Sequence, residues 1–178
     1  FIKENMKNKT LLILILLFFA FCFVVFLKGL KTSNIYIPET TLNKDLAVFA
    51  SKDFFTGDQI SFDEIFVNSE FYILNIWASW CLPCKKEHKF LMQLSKNKSI
   101  KLIGLNYKDK RKNAQKFIGK LGNPYSAIFT DEDGTISIKL GAYGIPETYV
   151  IDKNRKIIKK IIGPLNKKLL KEVSLIIR

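Results

Sequence analysis

The sequence predicts an α/β fold, a mixed central sheet flanked by helices, behind one N-terminal transmembrane helix. Three observations carry that expectation. From residue 71 onward, apolar strand-like runs alternate with amphipathic helix-like runs and close on a hairpin and a last helix, the pattern of a sheet with helices packed on it. Residues 11–27 contain no charge at all. Two cysteines separated by two residues, Cys81 and Cys84, fall where a strand-like run passes into a helix-like one. With 178 residues the chain has room for one ordinary domain and an appendage.

Residues 11–27 as a helix would span about 25 Å, a little short of the roughly 30 Å hydrocarbon core. Thr10 lengthens the span, and Lys9 and Lys28 can reach the two interfaces. A cleaved signal peptide has a shorter apolar region, about 7–15 residues, and a small-residue cleavage site. The flank here reads Phe26-Leu27-Lys28-Gly29-Leu30. Cys22 follows Phe21, so it reads as a small hydrophobe and not as a lipid-attachment site. The expectation is an uncleaved anchor in a lipid bilayer over residues 10–28, after a short tail, 1–9, in which Met6-Lys7-Asn8-Lys9 reads as an ordinary start. Lys3, Lys7 and Lys9 before the span outnumber Lys28 and Lys31 behind it, which favours the N-terminus inside.

Residues 29–45 are polar and unpatterned, as suits a linker, and the domain is expected over 46–178. Residues 47–55 read as a strand, with a turn at Thr56-Gly57-Asp58. Ser61 and Glu64 have capping-box spacing, so a short helix follows through Val67. Residues 71–77 are apolar on both faces, as a central strand covered on both sides would be. The helix after the cysteines, 82–96, puts Phe90, Leu91 and Leu94 at core spacing, and 100–106 reads as a second buried strand. Asp109 is placed to cap a helix whose Ala114, Phe117, Ile118 and Leu121 share a face, and Gly122-Asn123-Pro124 ends it. A short strand at 127–130 leads to the turn Asp131-Glu132-Asp133-Gly134. Residues 148–151 and 156–162 alternate about a turn at Asp152-Lys153-Asn154 and read as an antiparallel hairpin, and 165–177 closes the chain as a helix.

The formal charge is +13, which raises nucleic acid or an anionic surface as partners. The sequence has no Arg-rich segment, RNA-binding signature or zinc-finger spacing, and the lysines at 153–160 and 167–171 read as solvated faces; nucleic acid is not expected. Three cysteines are too few for a disulfide scaffold, which leaves Cys81 and Cys84 as a catalytic or metal-binding pair.

Four readings of that pair compete. A zinc site lacks a fourth ligand after His88, and covalent haem attachment needs His where Lys85 stands. An inert structural disulfide across two residues would gain little stabilisation. A redox dithiol fits the strand–helix junction best, because unpaired N–H groups and the helix dipole favour a thiolate at the first cysteine. Cys81, at the more exposed end, is the expected nucleophile, and Cys84 the resolving thiol. No metal and no cofactor beyond the Cys81–Cys84 disulfide is called for. His88 reads as a surface helix residue.

A CxxC at the end of the first buried strand of such a unit is the thioredoxin-like arrangement. In that fold a cis proline faces the dithiol and holds the preceding backbone ready for an extended peptide; Gly144-Ile145-Pro146-Glu147-Thr148 is the matching segment. More specifically, Asn75-Ile76-Trp77-Ala78-Ser79-Trp80-Cys81-Leu82-Pro83-Cys84-Lys85-Lys86-Glu87-His88 resembles the active-site segment of the cytochrome-c-maturation thiol–disulfide interchange proteins, the CcmG/DsbE family. Gly104-Leu105-Asn106-Tyr107-Lys108-Asp109, Leu121-Gly122-Asn123-Pro124-Tyr125 and residues 141–152 resemble other parts of the same family, so the likeness runs from about Phe49 to the C-terminus.

The resemblance implies a single-pass protein of the bacterial inner membrane with its catalytic domain in the periplasm. Its partners would be apocytochrome c or a dithiol protein of the maturation complex, with electrons from a transmembrane thiol donor. Trp80, Ile145 and Pro146 would meet the substrate, and Glu87 and Glu147 would tune the redox pair or move its proton. Two departures stand out. Asn75 holds the strand position where cytosolic thioredoxins carry a buried aspartate, and residues 43–49 lack the glycine and prolines common before the family's first strand. A general anchored reductase and a non-catalytic apocytochrome-binding module are the alternative functions.

Overall fold

A computed structural model describes residues 2–31, 45–46, 49–67 and 69–177. The expected linker lies mostly outside the described residues, as do residues 47 and 48 of the first expected strand. The chain divides into two units, an N-terminal helix and a C-terminal domain. The first is α1, Ile2–Lys31, whose stretch Leu11–Gly29 has a mean hydropathy of 3.0 over 19 residues, enough to cross a membrane. Its described apolar side chains are exposed, and Cys22 is a free, exposed thiol.

The domain is built on a five-stranded mixed sheet of β3 (Phe71–Trp77), β4 (Ile100–Tyr107), β5 (Ala127–Asp131), β6 (Glu147–Asp152) and β7 (Ile157–Ile162), ordered β5-β4-β3-β6-β7. β3, β4 and β5 are parallel, joined through α2 (Leu82–Leu94) and α3 (Arg111–Leu121). β6 and β7 form the expected hairpin, antiparallel to β3. The central position of β3 explains its apolar character on both faces. α5 (Lys167–Ile176) closes the chain, with Asn166 as its side-chain cap.

Alternation along the strands divides the core into two layers. Ile73, Trp77, Val150 and Ile161 face one way, with Leu91 of α2, Ala114 and Ile118 of α3 and Val173 of α5 packed against them. Leu74, Ile76, Ile103, Leu105, Tyr149 and Ile151 face the other way, against Phe62, Phe66 and Leu140. The three longer helices therefore share one face. The opposite face is closed by shorter pieces: a 3₁₀ turn, Phe62–Glu64, with the expected Ser61/Glu64 capping box, and α4, Thr135–Lys139.

α4 has no counterpart in the expected elements, which had only a turn there. Asp131 makes it: its carboxylate accepts from the N–H groups of Ile136 and Ser137 and from the Ser137 hydroxyl. The first expected strand shortens to β1, Ala50–Lys52, which pairs with β2, Gln59–Ser61, in a separate two-stranded sheet.

Asp109 does not cap α3. The N-cap is Lys110, with no side-chain bond, because the Asp109 carboxylate is already engaged by Ser79 and Asn106. His88 is buried at 3% exposure, not on the surface. Its Nε2–H donates to the Gly122 carbonyl at 2.9 Å, tying α2 to the end of α3, and burial lowers its pKa. Lys160, grouped above with the solvated lysines, is buried at 3% exposure and ion-paired.

Candidate active site

β3 ends at Trp77, and the chain turns through Ala78, Ser79 and Trp80 into α2. Asp109 holds that turn. Its carboxylate accepts from the Ser79 N–H at 2.5 Å, the Ser79 hydroxyl at 2.8 Å and Asn106 Nδ2 at 3.1 Å. The Trp80 indole N–H donates to the Lys108 carbonyl at 3.1 Å while its ring stays exposed. The loop is therefore pinned by groups some thirty residues on, which fixes where α2 begins.

Cys81 is the N-cap of α2 and Pro83 lies in its first turn, where its missing N–H costs nothing. Cys81 and Cys84 are joined by a disulfide with Cα atoms 5.3 Å apart. Cys81 Sγ accepts from the Cys84 N–H at 3.1 Å, so the first sulfur faces the open amides of the helix, where a thiolate is favoured. Both sulfur-bearing residues are buried, at 4% and 2% exposure, so Cys81 is less open than its position suggested. The exposed groups are its neighbours, Trp80 and Leu82.

One turn beyond Cys84, Glu87 is fully buried. Its Oε1 accepts from Asn75 Nδ2 at 2.9 Å and its Oε2 from the Leu165 N–H at 2.7 Å. Burial raises its pKa to about 7, against the lowering effect of those two donors. Asn75 also donates to Thr148 Oγ1 at 3.0 Å and accepts from the Tyr125 hydroxyl at 2.8 Å. Ile145-Pro146 is a cis peptide just ahead of β6, and Ile145's backbone N–H and C=O have no partner among the described residues.

The model of the redoxin family matches residues 36–175 of this chain. The thiol:disulfide interchange protein DsbE-2 of Pasteurella multocida is 33% identical over 172 residues, covering 96% of this chain and 89% of that protein. DsbE of Escherichia coli K12 is 32% identical, covering 94% and 92%. This chain belongs to the redoxin family, among its DsbE-type thiol:disulfide interchange proteins. A crystal structure of a DsbE-type protein from Chlorobium tepidum, 22% identical, superimposes with a TM-score of 0.66 over 77% of this chain and 98% of that one, which shows the thioredoxin-like fold. The protein is a thiol–disulfide oxidoreductase.

Within this redoxin the sheet separates the two carboxylates singled out in the sequence. Asn75 pairs with Thr148 and shares its face with Trp77 and the dithiol layer, which is the side Glu87 enters. Glu147 pairs with Ile76 and points the other way. Its Oε2 lies 3.1 Å from Lys160 Nζ and accepts from the Tyr149 hydroxyl at 3.0 Å; its Oε1 accepts from the N–H groups of Tyr143 and Gly144 at 2.6 and 3.2 Å. Lys160 also donates to the Gly141 carbonyl at 2.7 Å and sits 4.6 Å from the Tyr143 ring centroid. Glu147 and Lys160 thus clamp residues 141–147, the segment that presents Ile145 and Pro146.

Four residues of the site had no functional role in the sequence reading: Asp109, Tyr125, Thr148 and Lys160. Each acts through a partner far along the chain, so local spacing carried no sign of it.

Proposed function

We propose that this oxidoreductase is a membrane-anchored reductant of apocytochrome c, or of a dithiol partner in its maturation, held by residues 10–28 in the bacterial inner membrane with residues 46–178 in the periplasm and 29–45 as the tether. The observation that carries the reading is the Cys81–Cys84 pair at the N-terminus of α2 in a chain similar along its length to DsbE proteins. The open backbone of Ile145 beside Pro146 supports peptide binding there, with Trp80 as the other exposed wall.

In the reduced state, the Cys81 thiolate attacks one sulfur of the client disulfide, forming a mixed disulfide and expelling the client's other sulfur as a thiolate. The Cys84 thiol gives its proton to Glu87 and attacks Cys81 Sγ. That bond closes the internal disulfide, and the client leaves with both sulfurs reduced. Two electrons have passed to the client, and a transmembrane thiol donor restores the Cys81–Cys84 dithiol.

Glu87 suits the proton step because its buried carboxylate sits near neutrality one turn from Cys84. Glu147 acts at a distance, by holding the peptide-presenting turn with Lys160.

The test is reduction of a disulfide-bonded peptide carrying a haem-attachment CxxCH, set against unrelated disulfide peptides. Faster turnover of the CxxCH peptide is expected. Equal rates for all peptides would reassign the protein as a general anchored reductase, and retained maturation in a Cys81→Ser/Cys84→Ser variant would leave only a binding role.

A further inference from the structure

We propose that Tyr125 is a positioning residue for the redox reaction: its hydroxyl fixes the side-chain amide of Asn75 so that the amide N–H groups face Glu87. The inference rests on the proton role proposed for Glu87 and names what holds that carboxylate in its charged form.

An asparagine amide has a donor end and an acceptor end of nearly equal shape, and its partners decide which way it points. Asn75 is fully buried, so both ends need partners. On one side stand Glu87 Oε1 at 2.9 Å and the Glu147 carbonyl at 3.5 Å; a carboxylate and a carbonyl can only accept. Thr148 Oγ1, at 3.0 Å, can play either part. The acceptor end of Asn75 is therefore left to the Tyr125 hydroxyl at 2.8 Å, which must donate. Burial and the charge of Glu87 hold that hydroxyl in its protonated form.

The ring of Tyr125 is itself held in place. It stacks on Trp77 with centroids 5.6 Å apart and planes 16° from parallel. Its other support is Gly104 of β4, where an added Cβ would come within 3.1 Å of two Tyr125 ring carbons and 2.9 Å of Trp77 Nε1. Gly104 pairs directly with Asn75 in the parallel ladder, so the absent side chain opens the space through which the phenol reaches the amide.

The groups that face Glu87 are few. Asn75 comes from β3, Tyr125 from the loop before β5 and the Leu165 N–H from the segment after β7, while Cys84 lies one turn earlier on its own helix. His88 turns away to the Gly122 carbonyl, and the Glu147–Lys160 pair lies across the sheet. Without the hydroxyl, the amide loses the contact that sets its orientation, and its acceptor end can turn toward Glu87. An acceptor there favours the protonated carboxyl, so at a given pH less of Glu87 is in the ionised form that can take the Cys84 proton.

The experiment compares the full chain in neutral detergent with Tyr125→Phe, Asn75→Ala, Glu87→Gln and the Tyr125→Phe/Asn75→Ala double variant. The readout is the pH profile for resolution of the mixed disulfide formed with hydroxyethyl disulfide. Tyr125→Phe keeps the stacked ring, and its profile is expected to move up by roughly one pH unit, the equivalent of one hydrogen bond to a charged group. In the Asn75→Ala background the same change is expected to move nothing further, because the effect runs through the amide.

A Tyr125→Phe profile that overlays the wild type, or one that shifts equally in both backgrounds, overturns the inference while leaving the dithiol chemistry intact. Glu87→Gln is expected to abolish the transition. A Glu87→Gln profile identical to wild type would remove the proton role of Glu87 and this inference with it.

Discussion

Glu87 is under two opposing influences, and the balance can be measured through folding. Burial favours its neutral form and the donors Asn75 and Leu165 favour its charged form, with burial ahead and the pKa at about 7. The folded state therefore holds its proton more tightly than the unfolded chain, whose glutamates titrate near 4.3. The stability this adds is fully present below the unfolded pKa and is lost as pH rises through the folded one. Denaturant unfolding of the oxidised protein should lose on the order of 3 kcal/mol between about pH 4.5 and 7, and Glu87→Gln should flatten that slope. A slope unchanged in the variant would show that another group titrates.

The sequence placed Glu87 one turn from Cys84 but could not say that it was buried, since solvated and buried glutamates look alike in a helix. His88 was misread for the same reason. Its burial depends on α3 ending at Gly122, thirty-four residues on.

At the scale of elements, the hairpin β6–β7 shows how a small irregularity redirects a side chain. The register shifts between Val150 and Ile151, so Lys160 comes opposite Tyr149 and Ile157 opposite Ile151, both on the layer beneath α4. Without that bulge Ile157 and Lys160, three apart, would face opposite ways. The run Ile157-Ile158-Lys159-Lys160 therefore reads as an exposed lysine pair, whereas only Lys159 lies near the surface, 2.7 Å from Glu172 of α5.

Lys160→Met would strand the Glu147 carboxylate in the core, at a cost of about 3–5 kcal/mol in unfolding free energy. Adding Glu147→Gln should recover much of it, and no recovery would mean the ion pair is not the source of the loss. Gly104→Ala makes a parallel case. The added methyl meets Trp77 and Tyr125, so a loss of about 1–3 kcal/mol is expected, while Gly119→Ala, with nothing near it, should lose none. The long elements were legible because their periodicity is set locally. α4 was not, because it depends on one carboxylate, Asp131, satisfying its first N–H groups.

Among its described residues the molecule has one helix long and apolar enough to cross a membrane and, in the other unit, a domain that carries the Cys81–Cys84 disulfide. Both were visible in the sequence, since an uncharged run and a CxxC motif are local patterns. The network linking Tyr125, Asn75 and Glu87 was not, because β3, α2 and the loop before β5 meet only in the folded sheet. If α1 is an uncleaved anchor, the full chain should stay with membranes through alkaline carbonate extraction, and release into the supernatant would identify a cleaved leader instead.

In the proposed mechanism Cys81 attacks a client disulfide and Cys84 resolves the product. It is tested most directly by mixing the reduced full chain with a disulfide-bonded CxxCH peptide and following the covalent species by mass. Wild type should release reduced peptide and end with an internal disulfide, Cys84→Ser should accumulate peptide bound to Cys81, and Cys81→Ser should do neither. Peptide reduction by Cys81→Ser at the wild-type rate would rule out Cys81 as the nucleophile.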